Sequence, residues 1–91
     1  MRLQWTASAL ADITRLYDFL TPFNQAAAAR TVQSLTAAPS KLLQSPYIGK
    51  PLAEFAPREV RRLIVGQYEL RYEITETTIF ILRLWHTRED R

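Results

Sequence analysis

The alternation from Tyr68 to Ile74 constrains this chain more than any other stretch. Tyr68, Leu70, Tyr72 and Ile74 are apolar or aromatic, and Glu69, Arg71 and Glu73 between them are charged. A period of two over seven residues describes a strand with one face in a core and the other outside it. Residues 75–77 turn the chain, and residues 78–85 then run apolar on both faces, as a central strand does. A three-residue turn sets Tyr72 and Leu70 opposite Leu82 and Leu84. On the other face it places Arg71 beside Arg83 and Glu69 near Trp85. Residues 60–65 read as one more strand, leading into a turn or bulge at Gly66-Gln67.

The N-terminal half has the longer period. Arg2–Trp5 alternates as a short strand, and Thr6 is placed to cap a helix over residues 7–20. Leu10, Ile13, Leu16, Tyr17 and Leu20 form its apolar stripe, with Asp12, Arg15 and Asp18 expected on the opposite face. Thr21-Pro22-Phe23-Asn24 is a turn, and Asn24 caps a second helix whose buried stripe includes Ala28, Val32 and Leu35. Pro39 breaks that helix near Ala38, leaving one or two further turns with Leu42 and Leu43 before Ser45-Pro46. Pro46, Gly49, Pro51 and Pro57 mark an ordered loop and not a linker between domains.

The order is therefore β-α-α-β-β-β, an α+β chain with an antiparallel sheet and a helical hairpin on one face. The last strand is expected at the centre, beside the first. The second face stays partly open, with arginines on it or on its rim, and such a face is a binding surface.

A chain of 91 residues supports one domain, spanning residues 1–91. It has no apolar run of about 18 residues, no long apolar stretch at the N-terminus and no cysteine. These features exclude a membrane span and a disulfide framework and point to the cytoplasm. Net charge is +3, and ten of the twelve cations are arginine, whose planar fork suits carboxylate and phosphate. The balance favours an acidic or polyanionic partner. No pattern suggests a metal site, a nucleotide-phosphate loop, a Ser-His-Asp arrangement or a cofactor.

Four segments carry a resemblance to a known family. They are Trp5-Thr6-x-x-Ala9-x-x-Asp12-Ile13-x-x-Leu16-Tyr17-x-x-Leu20; Leu42-Leu43-Gln44-Ser45-Pro46-Tyr47-Ile48-Gly49-Lys50-Pro51; Arg61-Arg62-Leu63-Ile64-Val65-Gly66-Gln67-Tyr68-x-x-x-Tyr72; and Ile79-x-Ile81-Leu82-Arg83-Leu84-Trp85-His86-Thr87-Arg88. In order and spacing these are similar to landmarks of the RelE/ParE toxin superfamily, over almost the whole chain. The resemblance implies a RelE-like fold and a small toxin neutralised by a cognate antitoxin. It also implies one of two actions. ParE-like members poison DNA gyrase, and RelE-like members enter the ribosome and cleave mRNA.

Cleavage by internal transfer needs a base for the 2′-hydroxyl, cations for the phosphorane and an acid for the leaving oxygen. His86, Arg88, Arg61 and Arg71 are the candidates for a nuclease. RelE-like nucleases commonly carry arginine directly after the tyrosine of the penultimate strand, but this chain has Glu69 there, and no tyrosine follows Tyr72. A carboxylate repels the scissile phosphate, so the ParE-like reading fits better. Candidates for contact with target or antitoxin are Arg61, Arg62, Arg71, Arg83, Trp85, His86, Arg88 and, at the end of the tail, Arg91. Arg61, Arg62 and Arg83 are also expected to pair with Glu54, Glu59, Glu69 or Glu73. A toxin that retains only antitoxin binding is the third possibility.

Overall fold

A computed structural model describes residues 1–89. Strand β1 (Arg2–Trp5) leads into helices α1 (Ala7–Leu20) and α2 (Gln25–Ala37). Short 3₁₀ segments over Ala38–Leu43, Pro46–Ile48 and Ala53–Phe55 carry the chain past a two-residue strand β2 (Lys50–Pro51). It then runs into β3 (Glu59–Val65), β4 (Tyr68–Ile74) and β5 (Thr78–His86). The sheet order is β1-β5-β4-β3-β2. As expected, the last strand lies beside the first and is flanked on both sides, but the centre of the five strands is β4. Two further details differ from expectation. Lys50 and Pro51 pair with Arg62 and Arg61 as a fifth strand, at an edge where proline is tolerated. The β1–β5 pair is parallel and the other pairs are antiparallel, because the helical hairpin and the β3–β4 meander bring β5 back along the direction of β1.

Local chemistry sets the boundaries. Thr6 Oγ1 accepts from the Ala9 N–H at 3.1 Å and donates to the Ile81 carbonyl at 2.8 Å, so one hydroxyl caps α1 and ties it to β5. Asn24 Oδ1 accepts from the Ala27 N–H at 3.0 Å. Pro39 lacks the N–H that would continue α2, and the chain tightens into 3₁₀ turns there. Gly66, at φ 62°, supplies the positive φ that the first position of a two-residue hairpin turn needs. The core joins Ala9, Leu16, Leu35 and Leu42 to Leu70, Tyr72, Ile79, Ile81 and Leu84. Among the described residues no helix is long and apolar enough to cross a membrane.

Two expectations about faces are corrected. Asp12 is buried, at 4 % exposure, while Leu10 is 54 % exposed. The inner face of α1 is Ala9, Asp12 and Leu16: small Ala9 lets the helix approach β5, and Asp12 meets a backbone N–H there. The second correction is a bulge. Arg71 faces Arg83 and Leu70 faces Leu84 as expected, but Tyr72 faces Ile81, so Leu82 is an extra residue. Alternation is broken between Ile81 and Leu84, and both point to the helices. His86 shares that side with Leu84 and Tyr68, whereas Phe80 lies on the other face with Glu73.

Candidate functional site

The strand register builds a row of like charge across the open face. Lys50 lies opposite Arg62, Arg62 opposite Arg71, and Arg71 opposite Arg83. Like charges directly opposed destabilise a sheet, and here they are offset from below and from the side. Glu69, buried on the same face, lies 3.6 Å from Arg62 and 3.5 Å from Arg71. The Arg71 guanidinium is 5.2 Å from the Phe55 ring centroid and 4.8 Å from that of Trp85, and Arg83 is 5.7 Å from the latter. Such stacking holds a guanidinium without consuming its donors. Glu73 is taken by two hydrogen bonds from Arg58, at 3.0 and 2.7 Å. The bond from Arg58 lowers the Glu73 carboxyl below its ordinary value and outweighs burial. Half-exposed Ile64 lies in the next row with Glu69 and Trp85. The face can therefore take carboxylates or phosphates beside an apolar contact.

One end of the row is fixed from the helix layer. Beyond Trp5, β1 no longer pairs with β5, and α1 side chains take over the free edge. Asp12 accepts from the Leu84 N–H at 2.8 Å and from Arg83 Nε at 2.8 Å, and Arg15 donates to the Leu84 carbonyl at 3.0 Å. Burial alone raises the Asp12 carboxyl. The hydrogen bonds from Arg83 and Leu84, with the charge of Arg83 and the bond from Arg15, overcome this and hold it below its ordinary value. The partner of Arg83 is thus Asp12 and none of the four glutamates expected. Arg61 and Arg62 do pair within the expected set, with Glu59 and Glu69.

A second surface lies on the helix side. A cleft of about 450 Å³ is lined by Arg15, Leu16, Phe19, Leu20, Tyr68, His86, Arg88 and Glu89. Phe19 and Phe23, 67 % and 80 % exposed, stand beside it at the tip of the helical hairpin. The His86 ring meets Tyr68 edge-on at 5.2 Å, and its Nε2 is 3.1 Å from Gln67 Oε1.

Arg61 belongs to neither surface. It donates to the Tyr47 and Gly49 carbonyls at 3.1 and 2.8 Å and to Glu59 at 2.8 Å. Beside it, the Tyr72 hydroxyl accepts from the Gly49 N–H at 2.9 Å and donates to the Pro46 carbonyl at 2.7 Å. Arg61 and Tyr72 together pin the 46–49 loop. Of the residues singled out from the sequence, Arg62, Arg71, Arg83 and Trp85 gather on the open face. His86 and Arg88 lie on the opposite side, and Arg91 lies outside the described residues. Sequence reasoning missed Asp12, Lys50 and Phe55. Counting Ala9 as a core residue reveals Asp12, because 9, 12 and 16 share a helix face. Lys50 and Phe55 gave no such signal, since their loop has no period. Among the described residues no grouping of His, Asp and Glu could hold a metal ion.

The model of a family described as the ParE toxin of the type II toxin–antitoxin system parDE matches residues 3–91. The chain is 34% identical over 82 residues to toxin RelE2 of Caulobacter vibrioides, covering 90% of this chain and 90% of that one. Among solved structures it is similar to the chromosomal ParDE toxin–antitoxin system from P. aeruginosa. The TM-score is 0.80 at 26% identity, covering 94% of this chain and 95% of that one. It is also similar to the toxin–antitoxin complex RelBE2 from Mycobacterium tuberculosis, with a TM-score of 0.58 at 29% identity, covering 93% and 95% of the two chains.

Proposed function

The chain belongs to the ParE toxin family of type II toxin–antitoxin systems, and from that premise we propose that it arrests growth by binding and poisoning DNA gyrase and not by cutting mRNA. The observation that carries this reading is the separation of the nuclease candidates. Arg71 lies on the open face, opposite Arg62 and Arg83. His86 and Arg88 line the cleft on the helix side. The Arg61 guanidinium is committed to the 46–49 loop and Glu59. Phosphoryl transfer needs its acid, base and cations within hydrogen-bond reach of one phosphate, and a sheet stands between these. On the open face, buried Glu69 lies among the arginines where a scissile phosphate would have to sit.

The toxin acts in the cytoplasm as a binding protein. The target surface is the hairpin tip with Phe19 and Phe23 and the adjoining cleft with Arg88. The antitoxin is a partner whose disordered acidic segment folds across the open face, pairing carboxylates with Lys50, Arg62 and Arg83. The two structural relatives are themselves a toxin–antitoxin system and a toxin–antitoxin complex, which supports a cognate antitoxin as partner.

Purified toxin added to gyrase supercoiling and DNA-cleavage assays, beside a ribosome-programmed mRNA cleavage assay, tests the reading. Loss of supercoiling or accumulation of cleaved DNA with intact mRNA is expected. Codon-positioned mRNA cuts with unaffected gyrase would overturn it.

A further inference from the structure

Past the end of β5 the chain closes a tight turn. The Glu89 N–H donates to the His86 carbonyl at 2.9 Å, and Glu89 Oε1 accepts from the His86 N–H at 2.7 Å. The turn is tied to two other elements. The Thr87 N–H donates to the Gln67 carbonyl at 2.9 Å in the β3–β4 hairpin, and Glu89 pairs with Arg15 of α1. The His86 side chain completes the closure, its Nδ1 lying 3.1 Å from the Arg88 backbone nitrogen. A backbone N–H can only donate, so Nδ1 must offer a lone pair. A neutral ring then carries its proton on Nε2, which faces Gln67 Oε1. This fixes both the tautomer and the place of Arg88 at the mouth of the cleft.

We propose that His86 is a positioning residue: its Nδ1 lone pair clasps the 86–89 turn, and a proton taken up by the ring releases it. Protonation makes Nδ1 a donor aimed at the Arg88 N–H, and two donors cannot share that 3.1 Å contact. Among the described residues no carboxylate accepts a hydrogen bond from the ring. Arg15 of α1 and Arg88 of the turn are cations lining the same cleft, and Arg30 of α2 lines the adjoining hollow with Gln67 and Tyr68. Tyr68 of β4 presents a ring, Gln67 of the hairpin an amide oxygen, and the Glu89 carboxylate is already engaged by the His86 N–H and Arg15. The clasp is present while the ring is neutral and is lost when Nδ1 carries a proton. That Arg88 so held contributes to target binding rests on the function proposed above; the clasp itself does not.

The test is nitrogen-15 NMR of the toxin between about pH 8 and pH 5, the range that covers imidazole titration in general. At the upper end the ring is expected as the Nε2–H tautomer. The Arg88 amide shift should follow the ring with the same midpoint, and its exchange protection should fall roughly two- to tenfold as one hydrogen bond is lost. His86→Asn offers a non-titrating acceptor at the δ position and should keep the Arg88 amide protected at both ends of the range. His86→Leu should leave it unprotected at both. An Nδ1–H tautomer at the upper end would overturn the clasp, as would an Arg88 amide indifferent to ring protonation. If ring and amide titrate together while gyrase is unaffected at every pH, the clasp stands and the gyrase reading fails.

Discussion

Asp12 is a carboxylate on a helix face that meets the sheet, and it is bonded to a backbone N–H and to two arginines. Asp12→Asn keeps the shape and removes the charge, and is expected to cost about 1.5–3 kcal/mol, measured by urea unfolding at neutral pH. The pH dependence follows from its lowered folded-state value. The stabilisation is fully present above the unfolded carboxylate value and is lost as pH falls through the folded one. Glu73 is lowered too, by Arg58, and acts with the same sign. The wild type should therefore lose stability with acid more steeply than Asp12→Asn in unfolding curves taken from neutral pH down through the carboxylate range. Gly49 has a different constraint. A Cβ there would meet the Arg62 carbonyl oxygen and the Tyr72 hydroxyl, both at 2.6 Å. Gly49→Ala should cost about 1–3 kcal/mol by overpacking. Tyr72→Phe, which strips the partner from the buried Gly49 N–H, should cost about as much. The double variant should fall short of the sum, because both act on one network.

At the scale of elements, periodicity made most of the fold legible. The Tyr68–Ile74 alternation, the Thr6 and Asn24 caps and the break before Pro39 all stand where the sequence puts them. Three features were illegible, for separate reasons. The bulge at Leu82 lies in a run apolar on both faces, where an inserted residue leaves no trace in the pattern. The two-residue β2 gains its identity only by pairing with Arg61 and Arg62. A count that includes Ala9 finds the face of Asp12, but the N–H its carboxylate meets lies on a strand 72 residues away, and no local window contains that partner. The candidate site was legible in part for the same reason. Alternation put Arg71, Arg83, Glu69 and Trp85 on one face and, by the same register, His86 on the other; Arg88 lies in a turn beyond the strand, where alternation says nothing, and Lys50 depends on the pairing of β2. The β3–β4 hairpin permits a direct check. Gly66→Ala places a Cβ at φ 62° in open space, so its cost is conformational alone, about 1–2 kcal/mol, read as a lowered urea midpoint with an unchanged slope.

Taken whole, the molecule has a basic face and an apolar cleft on opposite sides of one sheet, and the two should be separable by mutation. Lys50→Glu with Arg62→Glu should weaken binding of the antitoxin's acidic segment roughly tenfold or more and flatten its salt dependence, measured by calorimetry, while gyrase inhibition persists. Phe19→Ser with Phe23→Ser should do the reverse, abolishing gyrase inhibition while the antitoxin still binds. Loss of both activities in either variant would contradict two separate surfaces. The sheet order carries one more consequence, for the moment of synthesis. Strand β1 leaves the ribosome before the other strands, and its neighbour in the sheet is β5. Arg2 finds its register partner only when Thr78 has been made, and Asp12 waits for Leu84. Domains fold as units during translation, and this one lacks β5, the strand that joins β1 to the rest of the sheet, until every other element has been made. A nascent chain therefore has neither a formed basic face nor a formed cleft, and with the roles proposed for them it becomes dangerous and recognisable to its antidote at the same step.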